Sequence, residues 1–151
     1  MLDFKEYDGT FVAIVPGSNV TRLLHRQEKM NIVVVENDTS LLKSLELVLK
    51  DLGHTVSGFA DPLEAVGFIM SEGEKIEALI IDFLMPGMDG LTLLERTRGK
   101  LTADCRVIMI SGYHELLATM ALDTSGIRAI LAKPVDLFKL LELVEGRPVH
   151  S

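Results

Sequence analysis

Four stretches of this sequence run from apolar residues straight into side chains that can act together. Ile32 to Val35 leads into Glu36-Asn37-Asp38, Ala78 to Ile81 into Asp82, Arg106 to Ile110 into Ser111-Gly112, and Ile127 to Leu131, through Ala132, into Lys133-Pro134. Carboxylates, a hydroxyl and an ammonium in one place suit phosphoryl transfer onto a carboxylate. An aspartate oxygen is a workable nucleophile, but it must approach an anionic phosphoryl group, so a hard divalent cation held by neighbouring oxygens has to offset the repulsion. Glu36, Asn37 and Asp82 offer those oxygens. Magnesium suits such a set, because it keeps several waters and needs only one or two carboxylates from the protein. Lys133 can pair with one phosphoryl oxygen as a point charge, and the Ser111 hydroxyl can donate to another. Each of these residues alone reads as an ordinary loop residue, with Asp38 or Thr39 capping a helix. Their convergence from four separate stretches is what points to a site.

They converge only if the apolar runs are parallel strands of one sheet. From Asn31 onward, short β-branched runs alternate with amphipathic segments at helical spacing, the pattern of successive βα units. Five runs are counted: Ile32 to Val35, Thr55 to Phe59, Ala78 to Ile81, Arg106 to Ile110 and Ile127 to Leu131. The first and fourth are apolar without alternation, as expected of strands covered on both faces. Between the runs, Leu41, Leu42, Leu45, Val48, Leu49 and Leu52 share one helical face, as do Leu116, Leu117, Met120 and Ala121, and later Leu137, Leu140, Leu141 and Val144. Asp61-Pro62-Leu63-Glu64 reads as N-cap, N1 proline and a capping-box glutamate, which predicts a helix from there to about Gly73. Gly53 and Gly126 stand where helices end. In an open parallel sheet, loops at the carboxyl ends of the strands line the ligand crevice, and all four stretches lie there.

Composition narrows the function. The 151 residues, 48% of them hydrophobic, suffice for one domain with a real core. A formal charge of -7 argues against nucleic acid as a partner of this chain, since phosphate backbones call for a clustered basic surface. The modest basic group Arg22, His25, Arg26 and Lys29 reads as the solvated face of a short helix. Cys105 is the only cysteine, which rules out an internal disulfide and a thiolate metal cage and suits a reducing cytosol. No apolar run approaches the roughly 18 residues needed to cross a bilayer, and Met1 to Glu6 lacks the features of a signal peptide. The expectation is a soluble cytoplasmic protein with no membrane partner.

The residues resemble the receiver domain of two-component response regulators over about 31–146. The most specific stretch is Leu79-Ile80-Ile81-Asp82-Phe83-Leu84-Met85-Pro86-Gly87-Met88-Asp89-Gly90, similar to the family's phosphoacceptor aspartate followed by a Met-Pro turn and an Asp-Gly helix start. Val107 to Gly112 looks like the strand bearing the family's switch serine or threonine, and Ala132-Lys133-Pro134 resembles its lysine-proline pair, where the bond before proline is usually cis. The resemblance implies a flavodoxin-like, doubly wound α/β fold with five parallel strands in order 2-1-3-4-5 and five flanking helices. It implies that Asp82 takes phosphate from a histidine kinase or phosphotransfer protein in a phosphorelay. Glu36 and Asn37 would occupy the acidic-pair positions, the Leu84 backbone carbonyl would complete the magnesium site with Asp82, and Ser111 and Lys133 would clamp the phosphoryl group. The phosphorylated face would bind the kinase, an output protein or domain, or a second copy, so the chain is read as a signalling switch rather than an enzyme. Residues 1–30 are read as an extension of unknown role, in which Thr10 to Val15 forms a strand and Val20 to Met30 a short helix, and 147–151 as a tail. With no output unit in the sequence, the chain is expected to act through a separate partner or to be part of something longer.

Two positions depart from the family pattern. Asn37 stands where an aspartate usually touches the metal, and Asp38 follows, as if the pair were exchanged. The loss of one formal charge predicts weaker metal binding, and makes a phosphorylation-independent interaction module the alternative reading. Ile130 stands where an aromatic ring usually turns inward. It reads as sheet packing, which would shift any coupling to Tyr113 or His114. Two further rivals fit less well. An aspartyl phosphatase of similar topology needs a general acid two residues after the nucleophile, where this chain has Leu84. A flavin carrier needs a phosphate cradle in its first loop, where Glu36 and Asp38 would repel an anion. Met70, Met109 and Met120 fall at core spacing. His25, His54 and His150 show no partner in the sequence, and His114 is placed on the solvent side of a helix start.

Overall fold

In the computed structural model, which describes residues 3–7, 10–14, 29–112 and 126–146, the repeating βα pattern becomes a five-stranded parallel sheet. A hairpin precedes it, β1 (Asp3–Tyr7) and β2 (Thr10–Ile14), paired antiparallel as a separate two-stranded sheet. The main sheet is built from β3 (Asn31–Val35), β4 (Thr55–Phe59), β5 (Ala78–Asp82), β6 (Arg106–Ser111) and β7 (Ile127–Ala132). Its order is β4-β3-β5-β6-β7, which is 2-1-3-4-5 counted from β3. Four helices are described: α1 (Thr39–Asp51), α2 (Pro62–Glu72), α3 (Gly90–Thr97) and α4 (Leu137–Glu145).

The central strands β3, β5 and β6 are apolar over most of their length because successive side chains feed two different cores. Ile32 and Val34 of β3, Ile80 of β5 and Ile108 and Ile110 of β6 pack with Leu42, Leu45 and Leu49 of α1 and Leu140, Leu141 and Val144 of α4. Val33, Val35, Leu79, Ile81 and Val107 turn the other way and meet Ala65 and Ile69 of α2 and Leu93 and Leu94 of α3. The sheet is thus the middle layer of three. The register slips once, between Val107 and Ile108 where β6 meets β7.

Caps set the helix ends. Asp38, Asp61, Asp89 and Asp136 each accept a backbone N–H at the first turn of α1, α2, α3 and α4. Gly53, at φ +94, turns the chain from α1 into β4, a left-handed conformation that other residues resist.

Several expectations change. The strand expected at Thr10 to Val15 is β2 (Thr10–Ile14), and its partner Asp3–Tyr7 escaped the sequence reading. Met70 is not a core residue: it is 45% exposed on α2, because the buried stripe there runs through Pro62, Ala65 and Ile69. Met109 is fully buried as expected, and Met30 also joins the core. Lys29 and Met30 are not helical, and the rest of the expected helix from Val20 lies outside the described residues. The stripe at Leu116, Leu117, Met120 and Ala121, the fifth flanking helix, Tyr113 and His114 also lie outside them.

Candidate functional site

Parallel pairing brings the carboxyl ends of β3, β5, β6 and β7 to one edge of the sheet. Val35 pairs with Ile81, so Glu36 and Asp82 emerge side by side from adjacent strands. Asp82 pairs with Ile110, which places Ser111 one residue further along β6. Ser111 pairs with Ala132, and its carbonyl accepts the Lys133 N–H at 3.0 Å, tying the ends of β6 and β7 together. From β7 the long Lys133 stem reaches back across the edge. Its Nζ donates to Glu36 Oε1 at 3.1 Å and to Asp82 Oδ2 at 3.3 Å.

Glu36, Asp82 and Ser111 are 1%, 3% and 1% exposed, whereas the Lys133 side chain keeps 30% of its surface in solvent. The crevice is therefore buried at its carboxylates and partly open along the Lys133 side chain. Burial, and then the facing Asp82 carboxylate, push the Glu36 carboxyl up to about 7 against the opposing pull of Lys133. Partial burial lowers the Lys133 ammonium, but the two carboxylates outweigh it and hold the group above its ordinary value.

Glu36 Oε1 also accepts the Asp38 N–H at 3.3 Å, while Oε2 is buried with no hydrogen-bond partner among the described residues. A buried, unanswered carboxylate oxygen beside a second carboxylate is a natural seat for a cation. Among the described residues no three His, Cys, Asp or Glu side chains gather as metal ligands. A cation here would rest on two carboxylates, neutral oxygens and water, a donor set that fits magnesium.

The remaining expected residues sit around this pair. Asn37 and Leu84 are exposed at the same edge, one and two residues beyond Glu36 and Asp82. Asp38 is taken up by α1: its Oδ1 accepts the Ser40 and Leu41 N–H groups at 3.0 and 3.2 Å. The loop after Asp82 is held by buried Met85 and Met88 and by Gly90 N–H to Phe83 O at 2.7 Å. A Cβ on Gly90 would lie 2.6 Å from the Asp82 carbonyl oxygen, so only glycine lets α3 start so close behind Asp82. The Lys133-Pro134 bond is cis, and Ile130 is a half-buried residue paired with Met109.

Sequence reasoning missed one buried polar contact, at the opposite edge of the sheet. His54 Nδ1 accepts the Met30 N–H at 3.1 Å, and Nε2 faces Glu145 Oε2 at 3.8 Å. Its partners are distant in sequence, and no local pattern signals them.

A 2-1-3-4-5 doubly wound sheet with acids and a lysine at its carboxyl edge defines a flavodoxin-like domain with a charged crevice. Residues 32–145 match the response regulator receiver domain family. The sensory/regulatory protein RpfC of Xanthomonas campestris pv. campestris is 33% identical over 132 residues, covering 83% of this chain and 18% of that protein. The receiver domain of the hybrid histidine kinase CckA superposes with a TM-score of 0.66 at 33% identity, over 77% of this chain and 96% of that one. A CheX-CheY-BeF3-Mg+2 complex from Borrelia burgdorferi matches with a TM-score of 0.65 at 28% identity, over 78% of this chain and 87% of that one. The chain belongs to the response regulator receiver domain family of two-component systems. It spans less than a third of the length of the curated relatives it matches. No helix among the described residues is long and apolar enough to cross a membrane.

Proposed function

We propose that this chain is a phosphorelay receiver, residues 31–146 with an extension at 1–30 and a tail at 147–151, which accepts a phosphoryl group on Asp82. The observation that carries the reading is Lys133 bridging Glu36 and Asp82, three charged groups from three strands in one crevice. The donor is the phosphohistidine of a kinase or phosphotransfer protein. An Asp82 carboxylate oxygen forms the new P–O bond as the P–N bond to the donor imidazole breaks, and the imidazole leaves with a proton from solvent. Burial of Asp82 limits access of bulk water to the acyl phosphate. Glu36, Asn37, Asp82 and the Leu84 carbonyl would hold magnesium, which supplies positive charge against the incoming phosphoryl oxygens. The Borrelia relative, crystallised with magnesium and beryllofluoride, supports magnesium as the cation.

Phosphorylation adds charge and acceptor oxygens where one carboxylate faced Lys133. Lys133 and the Ser111 hydroxyl turn toward the new group. Because the Lys133 N–H is bonded to the Ser111 carbonyl, a pull on either moves the ends of β6 and β7 together. That shift changes the population of partner-binding surfaces: kinase, output protein or domain, or a second copy. The setting is cytoplasmic.

The test is intact mass after incubation with acetyl phosphate and magnesium. We expect a gain of one phosphoryl group that disappears in Asp82→Asn and without magnesium. Exposed, uncharged Asn37 favours a second reading, an interaction module that no longer takes phosphate. An unchanged mass combined with partner binding that survives Asp82→Asn selects that one.

A further inference from the structure

Among the described residues four strand edges stand open: β4 and β7 at the two ends of the main sheet, and the outer sides of β1 and β2 in the hairpin. An open edge invites another strand to pair with it unless charge or proline blunts it. β1 carries Asp3, Lys5 and Glu6, and β7 carries Arg128. β2, Thr10-Phe11-Val12-Ala13-Ile14, and β4, Thr55-Val56-Ser57-Gly58-Phe59, carry neither charge nor proline.

β4 is also shaped to receive a strand. The Thr55 N–H donates to the Met30 carbonyl and the Phe59 carbonyl accepts the Glu36 N–H, so Thr55, Ser57 and Phe59 bond toward β3. Val56 and Gly58, which alternate with them, turn their N–H and C=O groups outward. On the α1 side β4 is closed, because Glu46 occupies the space where a side chain on Gly58 would lie. On the α2 side the small side chains of Thr55 and Ser57 do not fill the gap to Phe68 and Ile76, and a partly open cavity of about 140 Å³ remains. That is room for one apolar side chain. The hairpin, for its part, lacks a third strand, without which two strands are marginally stable in water.

From this we infer that β2 of one copy adds to the outer edge of β4 in a second copy, with one apolar side chain of β2 entering the cavity. Within a single chain the hairpin forms a separate sheet, and reciprocal exchange satisfies both hairpins and both β4 edges in one closed dimer. The chain between Ile14 and Asn31 can extend to about 50 Å, ample for the crossing. Each sheet then runs β1-β2-β4-β3-β5-β6-β7, with the two charged strands outermost. The dimer needs no phosphoryl group, and the crevice lies outside the paired edge.

The experiment is the mass of the unphosphorylated full chain by sedimentation, with hydrogen exchange read at β4. The mass should rise from one chain to two as concentration increases, and Val56 and Gly58 amides should exchange at least about tenfold more slowly in the dimer than in the single chain. Val12→Glu charges the β2 edge while facing Lys5 across the hairpin, so it keeps a favourable cross-strand pair and should be monomeric. Ser57→Lys charges the β4 edge and fills the cavity, and should be monomeric too. A mixture of the two variants should dimerise, because β2 of the Ser57→Lys chain still fits β4 of the Val12→Glu chain. A full chain that stays single at every concentration overturns the inference, and so does a dimer that survives in Val12→Glu or a mixture that stays single. Should circular dichroism show Ser57→Lys unfolded, the mass of the natural chain and of Val12→Glu decides the matter.

Discussion

Glu36 titrates at about 7 in the folded chain against an ordinary 4.5, first because it is buried and then because Asp82 faces it. Between those values the folded chain keeps a proton that the unfolded chain has released, so raising the pH favours unfolding. The contribution is fully present below about pH 4.5 and is lost as the pH rises through about 7. We expect the urea midpoint of the magnesium-free protein to drop between about pH 5 and pH 8, with a markedly smaller drop in Glu36→Gln. Equal drops in the two proteins would remove Glu36 from the account. Residues of this kind were legible because each ends an apolar run: Glu36, Asp82, Ser111 and Lys133 declare their place by the strand before them. What each touches was legible only in part. Asp38 read both as a candidate cap, alongside Thr39, and as half of an exchanged acidic pair, and its bonds to the Ser40 and Leu41 N–H groups show it as the cap.

The elements that present these residues are stabilised by two separable means, caps at the helix starts and burial in the strands. Removing the cap in Asp38→Ala should cost about 1 kcal/mol, whereas Asp38→Asn should cost far less because the amide oxygen still accepts. Ile80 is fully buried in β5 within the core beneath α1 and α4. Ile80→Ala should cost about 2–5 kcal/mol through lost burial and the cavity left behind. Urea unfolding of the three variants checks the ranking, and an Asp38→Ala chain as stable as the natural one would show that α1 starts without its cap. The five strands were readable from sequence almost to the residue, since the runs are short, rich in β-branched residues and bounded by amphipathic helical segments. β1 was not: Asp3-Phe4-Lys5-Glu6-Tyr7 mixes charge with aromatics, and a strand so composed is recognisable only by its partner. Met70 failed for the opposite reason. It sits on a helix apolar nearly all round, where spacing alone does not say which side is inward.

At the scale of the molecule, both cores are assembled, among the described residues, from side chains between Met30 and Val144. A chain beginning at Lys29 should therefore keep a cooperative unfolding transition with a midpoint near that of the full chain, measured by circular dichroism on heating. Loss of cooperativity would mean that the first 28 residues are part of the fold. Hydrophobic pattern was enough to count the strands, but not to order them. The order 2-1-3-4-5 came from resemblance to a family, because nothing in a run of valines and isoleucines says which neighbour it pairs with. The crevice, too, belongs to the whole chain. Lys133 meets Glu36 across 97 positions and Asp82 across 51, so its acids leave the ribosome well before the lysine that answers them. Without β7, Glu36 and Asp82 would lack the ammonium that bridges them, so the crevice is complete only once that strand has docked.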